Sequence, residues 1–151
     1  RHAARSIGVL GAMLMAFYFA WLWVSWIIYE NYFGAALPTS VVDFAFQVFT
    51  TPAGWSLMTV GSGVGLVFAI VVLALSVISF PMIIDRDVGV GMAIQTSIRV
   101  VIANPVTMTA WGLIVAYALL IGSLPFFVGL AVVLPVLGHA TWHLYRKVVE
   151  Y

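Results

Sequence analysis

The chain has 151 residues, of which 64% are hydrophobic and 7% are charged. Soluble globular domains are roughly 45–50% apolar and about 25% charged, so this chain lacks the charged surface that a water-soluble fold of its size needs. It has no cysteine, which excludes a disulfide framework, a thiolate zinc site and a Cys-ligated iron–sulfur cluster. The net charge of +1 comes without a basic stripe and does not indicate a nucleic-acid partner. The composition therefore predicts a protein that lies mainly in the lipid bilayer.

The first predicted element is a membrane span over residues 7–29. This stretch has no charged residue, and at about 1.5 Å per helical residue it is long enough to cross a hydrocarbon core of about 30 Å. It is too long for the apolar region of a secretory signal, so we expect it to be retained. Its far end carries aromatic residues that prefer the headgroup level: Trp21, Trp23, Trp26, Tyr29 and Tyr32. Because the sequence starts at Arg1, without Met, we expect it to be the C-terminal part of a longer chain.

The second charge-free run, residues 44–84, is too long for one span, and a turn that contains Pro and Gly divides it. The part that ends at this turn, residues 39–49, is predicted to be a short helix near the membrane interface. Thr39 or Ser40 can be its N-cap. Asp43 falls in the first turn, where the helix macrodipole favours an anion.

The part after the turn, residues 55–80, is the second predicted span. Pro81 disfavours helical geometry at the residue before it, so we expect the helix to kink or end shortly before Asp85. Small residues recur every four positions and give this span a smooth stripe against which another helix can pack: Gly61, Gly65 and Ala69. A glycine-rich phosphate loop is the alternative, but no Lys follows and the segment is apolar. We interpret the stripe as a helix-packing surface.

Asp85, Arg86 and Asp87 form a dense charge cluster that we expect in a cytoplasmic loop. The cluster either binds a cation or a partner's Arg, or it caps a helix and pairs locally at a wet boundary. We favour local pairing, because surface pairs of this kind contribute about 0–1 kcal/mol and act mainly by positioning the loop.

An amphipathic helix is predicted next, over residues 88–104, with Ile and Val residues on one side and polar residues on another. We expect Asp87 to be its N-cap and Asn104, which precedes Pro105, to end it. Such a helix lies in the interface plane, although a re-entrant segment has the same pattern.

Two further spans are predicted over residues 106–122 and 126–144. In the turn between them Ser123 can cap and Pro125 can occupy the first helical turn. A short connection makes antiparallel neighbours, so we expect a hairpin. Pro135 removes a backbone hydrogen bond from the last span and is expected to kink it. Such a kink either lines a substrate path or serves only the packing of the helix against its neighbours. We favour the packing role.

The cations give the predicted topology. If the first helix starts in the cytoplasm, all six cationic residues fall on the cytoplasmic side and only Glu30 and Asp43 on the other, an asymmetry that sets orientation in membrane proteins. The six are Arg1, Arg5, Arg86, Arg99, Arg146 and Lys147. We therefore predict an all-α polytopic membrane protein, one domain over residues 1–151, with four spans, one or two interfacial helices and both ends in the cytoplasm.

Four stretches of the sequence, 80–89, 97–105, 111–115 and 133–146, resemble the uncharacterised bacterial integral membrane proteins of domain-of-unknown-function family 2189. The resemblance covers most of the chain and is most specific from Phe80 onward. It implies a bacterial cytoplasmic (inner) membrane, and further spans and a cytoplasmic part upstream of Arg1. Some members are labelled as cytochrome c oxidase subunits, so the resemblance also implies association with an electron-transport complex.

His139 and His143 are spaced i, i+4, so both imidazoles project from one face of a helix and can share a metal ion or lie at a haem edge. The alternative is that both lie near the cytoplasmic headgroups, which we favour. The third His of the sequence, His2, belongs to a chain end. The haem and copper centres of a catalytic oxidase subunit need more imidazoles than three, so we expect no cofactor and no metal centre of that kind here.

Three functions agree with these patterns. We favour a non-catalytic membrane subunit or assembly partner of a larger complex, in contact with lipid and other membrane subunits, because no span has an ionisable residue near its centre. An electron-transport complex is the first candidate. The second function is a transporter or channel component for a neutral or lipid-like substrate. Its polar path would use Ser56, Thr59, Ser62, Ser76, Ser79, Thr107 and Thr109. The third is a haem or metal protein that uses His139 and His143. No Ser-His-Asp set, carboxylate pair or nucleotide loop indicates an enzyme.

Overall fold

The computed structural model describes residues 2–124 and 127–149, and within them it contains α-helices and no strand. The predicted all-α class is confirmed. Arg1, Pro125 and Phe126, to which parts of the predicted topology and of the last turn were assigned, lie outside the described residues. The helices are α1 (His2–Phe33), α2 (Val41–Thr50), α3 (Pro52–Ser76), α4 (Ser79–Arg86), α5 (Val90–Ala103), α6 (Pro105–Ser123) and α7 (Leu130–Val149).

Three stretches within the described residues are long and apolar enough to cross a membrane. They are Ala3–Phe33, Pro52–Arg86 and Pro105–Ser123, and they contain the whole of the first three predicted spans. Helix α7 is not among them, because its second half carries the polar and charged side chains of the sequence's C-terminal end. The number of four spans is therefore not confirmed.

Helix α2 begins as its sequence predicts. Ser40 is the N-cap, and its hydroxyl accepts a hydrogen bond of 3.0 Å from the backbone N–H of Asp43. Asp43 lies in the first turn. The corner from α2 to α3 depends on Gly54, where an added Cβ would overlap the backbone of Val48. The hydroxyl of Thr51 accepts the Gly54 N–H at 3.0 Å and fixes this corner.

The apolar run that follows is interrupted at residues 77–78, between α3 and α4. This is the position that Pro81 dictates, because a proline has no N–H and its ring clashes with the carbonyl four residues earlier, that of Val77. Pro81 itself lies in the first turn of α4, where it is tolerated. The Ile78 N–H at the break donates to the hydroxyl of Ser97 in α5 at 3.2 Å. The predicted interruption before Asp85 is therefore present, and a buried side chain satisfies the backbone there.

The prediction for Asp87 is wrong. Asp87 is the C-cap of α4, with a left-handed backbone at φ 47°, and the N-cap of α5 is Gly89 without a side-chain hydrogen bond. Asp tolerates the left-handed region better than most residues, so it ends one helix and the next begins after an additional turn. Asn104 ends α5 as predicted. Ser123 does not cap α7, since its hydroxyl donates to the Leu119 carbonyl within α6.

The chain divides into two compact units, unit 1 with residues 1–11 and 72–151 and unit 2 with residues 12–71. The prediction of a single domain stays a prediction. Unit 1 contains a buried apolar cluster of Val77, Ile78, Met82, Met108 and Tyr145. In α5 the buried side chains are the small Ala93 and Ser97, and α5 packs against α4.

Helices α6 and α7 form the predicted hairpin. At their connected ends a Cβ on Gly122 would lie 3.0 Å from side-chain atoms of Leu130 and Val133. At the other ends Met108, near the start of α6, and Tyr145, near the end of α7, belong to one buried cluster. The two helices are therefore antiparallel.

Candidate functional site

The charge cluster at the end of α4 is joined to α7 by a hydrogen bond. Tyr145 is 2% exposed, and its hydroxyl donates to Oδ2 of Asp85 at 2.9 Å. The same carboxylate oxygen lies 3.7 Å from Nε of Arg86, and both charged side chains are about half exposed. The structure therefore places Asp85 and Arg86 together, and Asp87 separately at the left-handed turn. Whether the cluster binds a foreign group stays a prediction.

The environment of Tyr145 raises the pKa of its hydroxyl. Burial is the largest cause, and the hydrogen bond to the Asp85 carboxylate acts in the same direction, while Arg86 opposes both. Tyr145 lies beyond the predicted fourth span and outside the three candidate spans. The Tyr145 hydroxyl therefore keeps its proton and donates it in the hydrogen bond to Asp85. This suits a structural link between α4 and α7 and not a group that gives up a proton.

His139 and His143 are exposed on α7. Nδ1 of His139 lies 3.1 Å from the carbonyl oxygen of Pro135, so the tautomer that donates this hydrogen bond leaves Nε2 as an acceptor. The described residues contain no group of three His, Cys, Asp or Glu side chains that could hold a metal ion. The structure therefore provides no third ligand there for the predicted pair, whose role stays a prediction.

The small-residue stripe of α3 is partly opposed by α1. A Cβ added at Gly65 would lie 3.7 Å from Nε1 of Trp21, which is ordinary van der Waals contact. A Cβ added at Gly61 would have no neighbour within 4 Å, and Ala69 is exposed. The stripe has an internal neighbour at one of its three positions, and its role in packing stays a prediction.

Several hydroxyls of the predicted polar path are hydrogen-bonded to their own helices. Thr59 donates to the Trp55 carbonyl at 2.9 Å and Ser76 to the Val72 carbonyl at 2.6 Å. Ser79, the first residue of α4, donates across the break to the Leu75 carbonyl of α3 at 2.5 Å. A hydroxyl that donates to its own helix is less available to a substrate, although it keeps its acceptor capacity.

Sequence reasoning missed one feature of unit 2, a cavity of about 150 Å³ between the end of α1 and the start of α2. It is lined by aromatic side chains of both helices and by the Asp43 carboxylate. The sequence contains the two features that line this cavity, the aromatic end of α1 and a carboxylate shortly after it. These two features were assigned to the headgroup level and to the helix macrodipole separately, because nothing in the sequence shows that the connecting loop folds back.

Comparison with known proteins gives one match. A family model described as predicted integral membrane protein (DUF2189) matches residues 1–85, more than half of the chain. Most of the segment from Phe80 onward, on which the sequence resemblance was most specific, lies outside the matched residues. No curated protein and no solved structure matches the chain.

Proposed function

The chain belongs to the DUF2189 family of predicted integral membrane proteins, and we propose that it is a non-catalytic subunit or assembly partner of a larger membrane complex. A respiratory or other electron-transport complex is the first candidate for that partner. The proposal assigns the chain to the bacterial cytoplasmic membrane. Its chemistry would lie in helix–helix contact, and catalysis would belong to other subunits.

The observation that carries this proposal is the large apolar surface of α1. In the most apolar part of this candidate span only 6% of the residues are buried. The exposed side chains include large aromatic rings, with Trp23 at 68% exposed. Tryptophan and other aromatic residues are enriched in the centres of protein interfaces. A helix with so much exposed apolar surface has room for helices of another subunit.

We further propose four spans, with residues 126–144 as the fourth and both ends in the cytoplasm. The charge distribution supports this arrangement, because unit 2 contains no Lys or Arg while every cationic residue of the sequence belongs to residues 1–11 or 72–151. Cations near span ends are retained on the cytoplasmic side. Helix α7, with 20 residues, has the length to span but carries cations in its last turn.

Site-specific photo-cross-linking in native membranes tests the partner role. A photoreactive residue at position 23, on α1, is expected to give an adduct with one foreign membrane protein, and the complex should migrate above the monomer after mild solubilisation. Position 132, on α7, is the matched control because Val132 is also 68% exposed. Adducts only with lipid or with the same chain at both positions would overturn the proposal.

Cysteine labelling tests the topology, because the chain has no native cysteine. Asp87→Cys should react only with reagents that enter the cytoplasm, and Ala35→Cys should react with impermeant reagents from outside. Both positions are exposed in the structure. Labelling of Asp87→Cys from outside would overturn the proposed orientation.

A further inference from the structure

The cavity of unit 2 lies where α1 ends, a position that the length of this candidate span places near the headgroup level. Its wall is formed by the last turns of α1, the connecting segment and the first turns of α2. At about 150 Å³ it is smaller than the roughly 300–1,000 Å³ of pockets for drug-sized ligands. It therefore has room for a single small chemical group.

Three aromatic rings form one part of the wall. Tyr29 and Phe33, on α1, are stacked with ring centroids 5.6 Å apart. The ring of Phe44, on α2, lies 6.0 Å from that of Tyr29 and 5.9 Å from that of Phe33. Aromatic faces carry negative electrostatic potential, and they attract cations that come within about 6 Å of the ring centroid.

A carboxylate completes the wall. Oδ2 of Asp43 accepts hydrogen bonds from the Thr39 hydroxyl at 3.0 Å and the Gln47 amide at 2.8 Å. Among the described residues nothing donates to its Oδ1 and no cationic side chain pairs with it. Unit 2 as a whole has two carboxylates, those of Glu30 and Asp43, and no Lys or Arg. The negative charge at this cavity is therefore not neutralised by its own unit.

Hydrogen bonds hold this arrangement in place before any ligand arrives. The Tyr29 hydroxyl donates to the Ala36 carbonyl at 2.7 Å and ties the connecting segment to α1. Thr39 and Gln47 both donate to Oδ2 of Asp43 and hold the carboxylate by that oxygen. A preformed site lowers the entropic cost of binding.

We propose that this cavity binds a small organic ammonium group, of the size of trimethylammonium or ethanolammonium. The aromatic rings supply cation–π attraction and Asp43 supplies the counter-charge, the combination by which aromatic cages recognise quaternary ammonium ligands. The group comes from a lipid headgroup or from a soluble amine. The proposal stands independently of the partner role, because all of its residues lie in unit 2.

The first experiment uses the unaltered protein in detergent and follows binding by isothermal titration calorimetry. Choline is the probe, and 3,3-dimethylbutan-1-ol, which has the same shape without the charge, is the control. We expect choline to bind at least about tenfold more tightly than the neutral alcohol, since a cation–π contact and a counter-ion each favour the charge. Equal binding of both, or no binding of choline, would overturn the proposal.

The second experiment compares two carboxylate variants. Asp43→Asn removes the charge and retains the shape and acceptor oxygen, and should weaken choline binding about tenfold or more. Glu30→Gln is the matched control, because Glu30 is the other carboxylate of unit 2 and does not line the cavity. Phe44→Leu, which removes one ring, should weaken binding about threefold to tenfold. If all variants that keep the helical circular dichroism spectrum bind like the unaltered protein, the site is wrong.

A third experiment, in nanodiscs of different lipid composition, distinguishes the two sources of the ammonium group. The protein is placed in nanodiscs of phosphatidylglycerol alone or mixed with phosphatidylethanolamine or phosphatidylcholine, and retained lipids are counted by native mass spectrometry. Retention of an ammonium lipid that Asp43→Asn abolishes identifies a headgroup site. Choline binding without selective lipid retention identifies a soluble amine. Absence of both overturns the proposal and leaves the partner role untouched.

Discussion

The two units of this chain are stabilised in different ways. In the described part of the chain, every buried apolar side chain belongs to unit 1, and the one buried residue of unit 2 is Gly54, which has no side chain. Unit 1 also buries the hydroxyls of Ser79 and Ser97, both with hydrogen-bond partners. Unit 2 is the more apolar of the two in sequence but leaves that surface exposed.

The difference indicates that apolar composition alone does not decide where a membrane protein packs against itself. Lipid tails are as apolar as Leu, so burial inside the protein requires close packing and satisfied polar groups. Unit 1 supplies both at the interrupted helix, where the break at residues 77–78 and the Ser97 hydroxyl meet. Within unit 2, α1 and α3 are uninterrupted and leave large apolar side chains exposed.

The same substitution in each unit should give the largest contrast. Met108→Ala in unit 1 removes a side chain that is 1% exposed and should lower the free energy of unfolding by about 2–5 kcal/mol. Met15→Ala in unit 2 removes a side chain that is 53% exposed and should change it by no more than about 0.5 kcal/mol. Unfolding in mixed micelles followed by circular dichroism measures both. Equal losses would show that Met15 is packed as tightly as Met108.

At the α2–α3 corner of unit 2, Gly54 lies against the Val48 backbone. Gly54→Ala places a methyl group against the Val48 backbone and should cost about 1–3 kcal/mol, as overpacking does. Gly63→Ala is the control on the same helix, since nothing lies within 4 Å of its added Cβ, and it should be neutral or stabilising because Ala is the better helix former. Thermal unfolding of both variants measures the difference. A Gly54→Ala protein as stable as Gly63→Ala would show that the corner opens freely.

The smallest expected effect concerns the link between α4 and α7. Tyr145→Phe removes the hydrogen bond to Asp85 and should cost about 0.5–1.5 kcal/mol. Tyr117→Phe, on an exposed side chain of the same unit, should change stability by less than about 0.5 kcal/mol. The free energies of unfolding of the two variants, measured at neutral pH, give this difference.

The raised pKa of Tyr145 adds a pH dependence to this comparison. The folded state holds the phenolic proton more tightly than the unfolded state. The resulting stability is complete below about pH 10, the ordinary pKa of tyrosine, and is lost as the pH rises through the folded value. Tyr145→Phe should therefore be relatively less destabilising above pH 10 than at pH 8. A constant difference across this range would contradict the assigned cause.

Helix positions were predictable because long charge-free runs, caps and prolines act locally. Ser40, Pro81 and Asn104 each mark a boundary within a few residues of where it was expected. Asp87 was misassigned because an Asp between two helices suits either the start of one or the end of the other, and the backbone conformation that decides is not a sequence property.

The contacts that define the two candidate sites were not predictable for a different reason. Tyr145 and Asp85 are 60 residues apart, and a pattern of apolar residues does not indicate which polar side chains meet across helices. The cavity depends on a loop that returns to α1 through the Tyr29 hydroxyl. Both arrangements require the tertiary fold, whereas the sequence shows only that the residues involved are aromatic or charged.

The hydrogen bond between Asp85 and Tyr145 also fixes an order of events during synthesis. Unit 1 draws on residues 1–11 and 72–151, so its core stays incomplete until α7 has been synthesised. Contacts of such long sequence separation form late. A nascent chain stalled before Tyr145 would present Val77 and Ile78 without the α7 side chain that belongs to their buried cluster.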